Sequence, residues 1–187
     1  MTRRRFIFDG PDRFVPGTVG EPGDRSFFLQ ARKGRTLVSV GIEKVQVAAL
    51  ADRLETLLDA VDVADAADVA GVADVPALAE STHEMSLEQP VVELFRVGAL
   101  ALAWDAERAS VVIEAQTPTD GGEYAELPDD AEEGPDVLRV RIQPSAARAF
   151  VRRAEELLGA GRPACPFCGQ PLDPRGHFCQ QGNATLN

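Results

Sequence analysis

Two stretches of this chain repeat the same pattern at a constant offset of 100 positions. Val40 and Ile42 correspond to Val140 and Ile142, Ala49 to Ala149, Leu50 to Phe150, Arg53 to Arg153, Glu55 to Glu155, and Leu57-Leu58 to Leu157-Leu158. A shared helical period by itself would reproduce the leucines. It would not place Val-x-Ile, an Arg and a Glu in one register as well. Each copy follows a hairpin of apolar strands, so the chain reads as a tandem duplication of a strand–strand–strand–helix unit. Consecutive strands with short turns imply mainly antiparallel pairing. The expected fold is α+β, with a mainly antiparallel sheet covered by two helices and a small C-terminal zinc knuckle.

The elements follow from local patterning. Residues 4–8 form a short strand that Asp9-Gly-Pro-Asp12 stops. Phe14 to Gly20 is extended but broken by Pro16, which suits an edge strand. Residues 26–31 and 36–42 make a hairpin, and from Glu43 the period lengthens. Val47, Leu50, Leu54, Leu57, Leu58 and Val61 then mark one face of a helix ending near residue 60. The second half repeats the order: strands over 91–97, 99–104, 110–116 and 137–142, then a helix opened by Pro144. Its apolar face is Ala147, Phe150, Val151, Ala154, Leu157 and Leu158. The units are therefore 1–61, a first β/α repeat; 62–89, an acidic Ala/Asp-rich linker; 90–161, a second repeat; and 162–187, a zinc-binding segment. Within the second repeat, residues 117–136 carry eight carboxylates with Gly and Pro, the composition of a mobile loop.

All three cysteines and one of the two histidines fall in the last of these units, as Cys165-Pro-Phe-Cys168 and His177-Phe-Cys179. Paired soft ligands flanking a Pro/Gly-rich loop suit a tetrahedral Cys3His zinc ion, and four protein ligands leave no open position, so the site is structural. Cys165, Cys168, His177 and Cys179 are the expected ligands. A Cys165–Cys168 redox pair is the alternative, but it leaves His177 and Cys179 without a role.

Other classes of function find little support. The net charge of −11 opposes broad binding to nucleic acid or an anionic membrane, although arginines crowd the first 35 residues. Only Arg162 and Arg175 are cations beyond residue 160. No run is long and apolar enough to span a bilayer, and the N-terminus lacks the apolar core of a signal peptide. An odd number of clustered cysteines points to a reducing compartment, so a cytoplasmic location is expected. His83-Glu84 fits neither the zinc-deaminase nor the H-E-x-x-H pattern. The glycines of 17–23 match no phosphate-binding motif. Gln30, Glu114 and Gln116 lie at the ends of strands in the two halves. They are candidates for a cleft between the repeats, with Arg13, Arg25 and Arg96 supplying positive charge; solvent-facing positions on amphipathic strands are the other reading.

A set of words distributed along the chain resembles the actinobacterial DUF3090 proteins. They are Asp12-Arg-Phe14, Gly17-Thr-Val-Gly-Glu-Pro-Gly-Asp-Arg25, Phe28-Leu-Gln-Ala31, Phe95-Arg-Val-Gly98, Leu102-Ala-Trp-Asp105, Ile113-Glu-Ala-Gln116 and the segment from Gly161 to Pro174. The resemblance implies a high-GC actinobacterial lineage and an association with genes of mycothiol synthesis and a histidine-type phosphatase. It implies no mechanism. The chain departs from the family pattern at residues 180–187, where a basic tail is expected.

Two functions follow as expectations. The first is a non-enzymatic interaction or regulatory module with a structural zinc, which recognises a protein partner; homo-oligomerisation stays open. The second is an enzyme or small-ligand-binding protein that uses the cleft, linked to thiol or phosphate metabolism.

Overall fold

The structure, a computed structural model, describes residues 2–21, 23–68, 86–119, 121–128, 131–160, 165, 167–168, 177–179 and 185–186. Of His177, Phe178, Thr185, Leu186 and residues 62–68, it describes the backbone alone. In chain order the elements are β1 (Arg5–Asp9), β2 (Arg13–Val19), β3 (Ser26–Lys33), β4 (Thr36–Ile42), α1 (Lys44–Asp68), β5 (Glu93–Arg96), β6 (Ala99–Asp105), β7 (Ser110–Gln116), β8 (Val137–Ile142), α2 (Pro144–Gly159), β9 (His177–Phe178) and β10 (Thr185–Leu186).

The α+β class and mainly antiparallel pairing hold, but the first eight strands form two four-stranded sheets, ordered β2-β3-β4-β5 and β1-β8-β7-β6, while β9 and β10 pair as a separate two-stranded one. Each sheet takes three antiparallel strands from one half and one parallel strand from the other. Thus β5 adds beside β4, and β1 beside β8. The exchange is reciprocal. Each half uses its leading short strand to complete its neighbour's sheet, so neither sheet is made by one contiguous segment. The strand-pairing registers repeat as well. Leu29 faces Val40 as Ile113 faces Val140, Ala31 faces Val38 as Ala115 faces Leu138, and Gln30 faces Ser39 as Glu114 faces Arg139. One strand further out, Val15 faces Gln30 as Ala101 faces Glu114.

Alternation sorts each sheet into two faces. Phe27, Leu29, Ala31, Val38, Val40 and Ile42 of the first sheet join Val111, Ile113, Ala115, Leu138, Val140 and Ile142 of the second in one buried cluster. The helices contribute Val47, Leu50, Leu54 and Leu58 from α1, and Ala147, Phe150, Val151 and Ala154 from α2. The two helices pack on each other, and each reaches across to the other half: α1 touches β6 and α2 touches β2. At the second of these crossings Phe150 stacks on Phe14, ring centroids 5.1 Å apart and nearly parallel. The exchanged strands meet through Phe6 and Phe95 at 6.4 Å.

The helices begin where the sequence tells them to. Gln46 Oε1 accepts the Glu43 N–H at 3.0 Å, half of a capping box at the start of α1. Pro144 occupies the first turn of α2. Instead of ending near residue 60, α1 continues to Asp68. Ala60, Ala64, Ala66 and Ala67 are strong helix formers, so the helix propagates into the acidic stretch without needing an apolar face. Of the rest of that stretch, 69–85 lies outside the described residues, whereas 86–89 is described.

The described part of 117–136 runs as a strap tied to the N-terminal residues. Arg3, only 7% exposed, donates from Nε to the Pro135 carbonyl and from Nη1 to the Pro128 carbonyl, both at 3.2 Å. Arg4 pairs with Asp136 through Nε to Oδ2 at 2.8 Å. These donors come from the opposite end of the chain, which is why local composition misses them.

Candidate functional site

The polar face of each sheet, turned away from the shared core, holds most of the residues expected to line a cleft. Gln30 is 1% exposed. Its Nε2 donates to Ser39 Oγ at 3.0 Å and to the Glu88 carbonyl at 3.1 Å, while its Oε1 accepts the Glu88 N–H at 2.8 Å. One side-chain amide thus holds both polar groups of one backbone residue, as a neighbouring strand would. Arg13 joins the same place, with Nη1 3.3 Å from Glu88 Oε1, and it also donates to the Ser86 carbonyl. Leu87 packs over Gly17 so closely that a Cβ there would collide with it.

Gln116 does for the second sheet what Gln30 does for the first. Fully buried, it donates from Nε2 to the Ala125 carbonyl at 2.9 Å and accepts the Ala125 N–H at 3.0 Å. Beside it Glu114, 7% exposed, accepts from Arg139 Nε and from the Tyr124 hydroxyl. Burial, with the hydrogen bond and charge of Glu114 added to it, pushes the Tyr124 phenol up to about 12.

The structure therefore brings Arg13 and Gln30 together on one sheet and Glu114 and Gln116 together on the other. Arg25 and Arg96 lie apart from both groups. Arg25 donates to the Ala160 carbonyl at 3.0 Å and so caps the C-terminal end of α2. Exposed Arg96 pairs with Glu43 at 2.8 Å and with Glu93 at 3.2 Å. Tyr124 and Arg139 complete the group around Glu114 and were not foreseen. The signal for Arg139 was its place opposite Glu114 once the strands were paired; nothing local singles out Tyr124.

The cysteines form the other cluster. Cys165, Cys168 and Cys179 bring their Sγ atoms within 4.8 Å of one another. Cys165 and Cys179 are 2% and 1% exposed, with their Sγ atoms 3.8 Å apart; Cys168 is half-buried. Burial works to raise the Cys165 thiol, but the backbone N–H groups of Cys168 and Phe167 and the Cys168 and Cys179 thiols outweigh it and bring it down to about 7. Backbone N–H groups converging on a thiolate sulfur are the expected product of a C-x2-C turn. His177 sits two residues before Cys179 in β9, where its backbone pairs with Leu186; its side chain lies outside the described residues. Three convergent sulfurs, two of them shielded from water, can hold a metal ion.

A family model described as "Protein of unknown function (DUF3090)" matches residues 6–179. The chain belongs to the DUF3090 family. No curated protein and no solved structure matches it. The part shared with DUF3090 takes in the two four-stranded sheets apart from Arg5, both helices and every cysteine, and it stops at Cys179, before β10. Among the described residues no helix is long and apolar enough to cross a membrane.

Proposed function

We propose that this DUF3090 chain is a non-enzymatic zinc protein whose C-terminal segment docks a protein partner. The convergence of three Sγ atoms within 4.8 Å carries the reading. Cys165, Cys168 and Cys179 would hold the ion as thiolates, with His177 as the fourth ligand. Soft sulfur donors with one imidazole favour zinc over harder cations, and four protein ligands close the site to substrate. The ion would cross-link the segment after α2, in which the described backbone also pairs β9 with β10. Phe167, 56% exposed between two of the ligand cysteines, gives the docking surface an apolar anchor. A reducing, cytoplasmic setting suits three cysteines that form no disulfide with one another. The competing reading, catalysis in a cleft between the halves, draws less support. Gln30 and Gln116 use their amides to hold their own backbone, and Glu114 is engaged by Arg139 and Tyr124.

Elemental analysis of protein purified without chelator, beside Cys168→Ser, tests the metal. One zinc per chain with a clear loss in the variant is the expected result. Free thiols or a disulfide with no stoichiometric metal would overturn the reading. Capture of binding proteins by the zinc-loaded chain and by Phe167→Ser then tests the docking surface, which predicts a partner lost in the variant.

A further inference from the structure

The three thiols differ in access more than in distance. Cys165 and Cys179 are 2% and 1% exposed, whereas Cys168 is half-buried at the end of the C-x2-C turn. Proximity alone would favour a bond between Cys165 and Cys179, whose sulfurs are 3.8 Å apart. Yet an oxidant in water must first reach a sulfur, and susceptibility to oxidation follows exposure as well as thiolate character. Once Cys168 is oxidised, either neighbour lies within 4.8 Å of it, a gap that modest movement closes to bonding distance.

We propose that Cys168 is a hydroperoxide-reactive site, and that its oxidation converts the cluster from a metal-holding to a disulfide form. This rests on the zinc reading above. In the first step the Cys168 thiolate attacks the terminal oxygen of the hydroperoxide. The O–O bond breaks, the alkoxide leaves and takes a proton to become the alcohol, and Cys168 becomes a sulfenic acid. In the second step a buried neighbour, Cys165 or Cys179, attacks the Cys168 sulfur as thiolate. The S–O bond breaks and hydroxide leaves with a proton as water. The two sulfurs have lost two electrons and the hydroperoxide has gained them. With two of its thiolates consumed, the cluster retains too few donors and the ion is released. Reduction by a dithiol restores the four-ligand set.

The full-length chain, its zinc content measured first, is treated with hydrogen peroxide at one equivalent while a chromophoric chelator follows metal release. Peptide mass mapping then locates the disulfide, and a parallel sample is trapped with a cyclic 1,3-diketone that labels sulfenic acids. The expected result is metal release in step with an intrachain disulfide containing Cys168, with the diketone on Cys168. A Cys165–Cys179 disulfide with Cys168 reduced, or metal retained after peroxide, overturns this inference and leaves the zinc reading standing. A chain with no metal before peroxide overturns both. Mapping is done on the unsubstituted chain, so the outcome does not depend on a cysteine variant folding.

Discussion

Matching positions of the two strand ladders hold different chemistry in the two sheets. Gln30 faces Ser39 in the first, and its counterpart Glu114 faces Arg139 in the second. One pair is an uncharged amide and hydroxyl; the other is a carboxylate and a guanidinium, joined by the Tyr124 phenol. Both solve one problem, the covering of a sheet face that is not turned to the shared core. In the first sheet Gln30 grips the 86–88 segment directly. In the second the gripping amide is Gln116, and the position matching Gln30 is ionic. Apolar positions of the repeat are constrained by a shared core that both halves must fill. Polar positions need only satisfy whatever segment lies over them, so they are free to differ.

The comparison is most exposed to failure at the helix crossings. Phe150, fully buried and stacked on Phe14, should cost about 3–5 kcal/mol as Phe150→Ala. Leu50, its counterpart in α1, should cost about 2–5 kcal/mol as Leu50→Ala. Urea denaturation measures both. If Leu50→Ala were neutral, the two crossings would not be equivalent parts of one core.

The ionic pair gives the next effect. Glu114→Ala removes the carboxylate that accepts from Arg139 and from the Tyr124 hydroxyl, for about 1–3 kcal/mol. Importing the first sheet's solution, Glu114→Gln with Arg139→Ser, should recover most of that loss, and a double-mutant cycle would show it. Tyr124 reports independently, because it is the chain's single tyrosine. Its absorbance should titrate near pH 12, and Glu114→Gln should bring it back toward the ordinary value of about 10. Burial remains in that variant, so the return should be partial.

Gln30→Leu and Gln116→Leu each leave a backbone N–H and carbonyl without their side-chain partner, for about 1–3 kcal/mol apiece. Amide exchange would localise the damage, with protection lost at Glu88 in the first variant and at Ala125 in the second. Loss at both sites in either variant would mean that the two clasps are coupled rather than parallel.

The smallest effect lies at Arg4–Asp136, which ties the exchanged β1 to the strap. Burial tends to raise the Asp136 carboxyl, but the Arg4 hydrogen bonds and charge outweigh it and hold the carboxyl below the usual carboxylate range. A lowered acid contributes stability above its unfolded value of about 4 and loses it as pH falls through the folded one. Asp136→Asn should therefore cost under about 1 kcal/mol at pH 7, because the pair is partly exposed. The deficit should shrink below pH 4. An equal deficit at pH 3 and pH 7 would exclude the ionic origin.

The chain's periodicity determined the α+β class, the three-strand-then-helix units and the residues of each helix that face the core. Those signals are local, since apolar spacing of two or between three and four residues directly sets which face is buried. The spacing of Cys165, Cys168 and Cys179 likewise announced that the three sulfurs would converge. Tertiary structure alone decided that one expected sheet would be two, completed by exchanging β1 and β5. Parallel addition of a short strand is decided by which free edge is nearest, and local sequence does not encode that. The same holds for Arg3 on the strap, for Gln30 on Glu88 and for Tyr124 on Glu114. Each is a polar group satisfied by a backbone or side chain that is remote or unpatterned in sequence, and a hydrogen bond of that kind leaves no periodic trace.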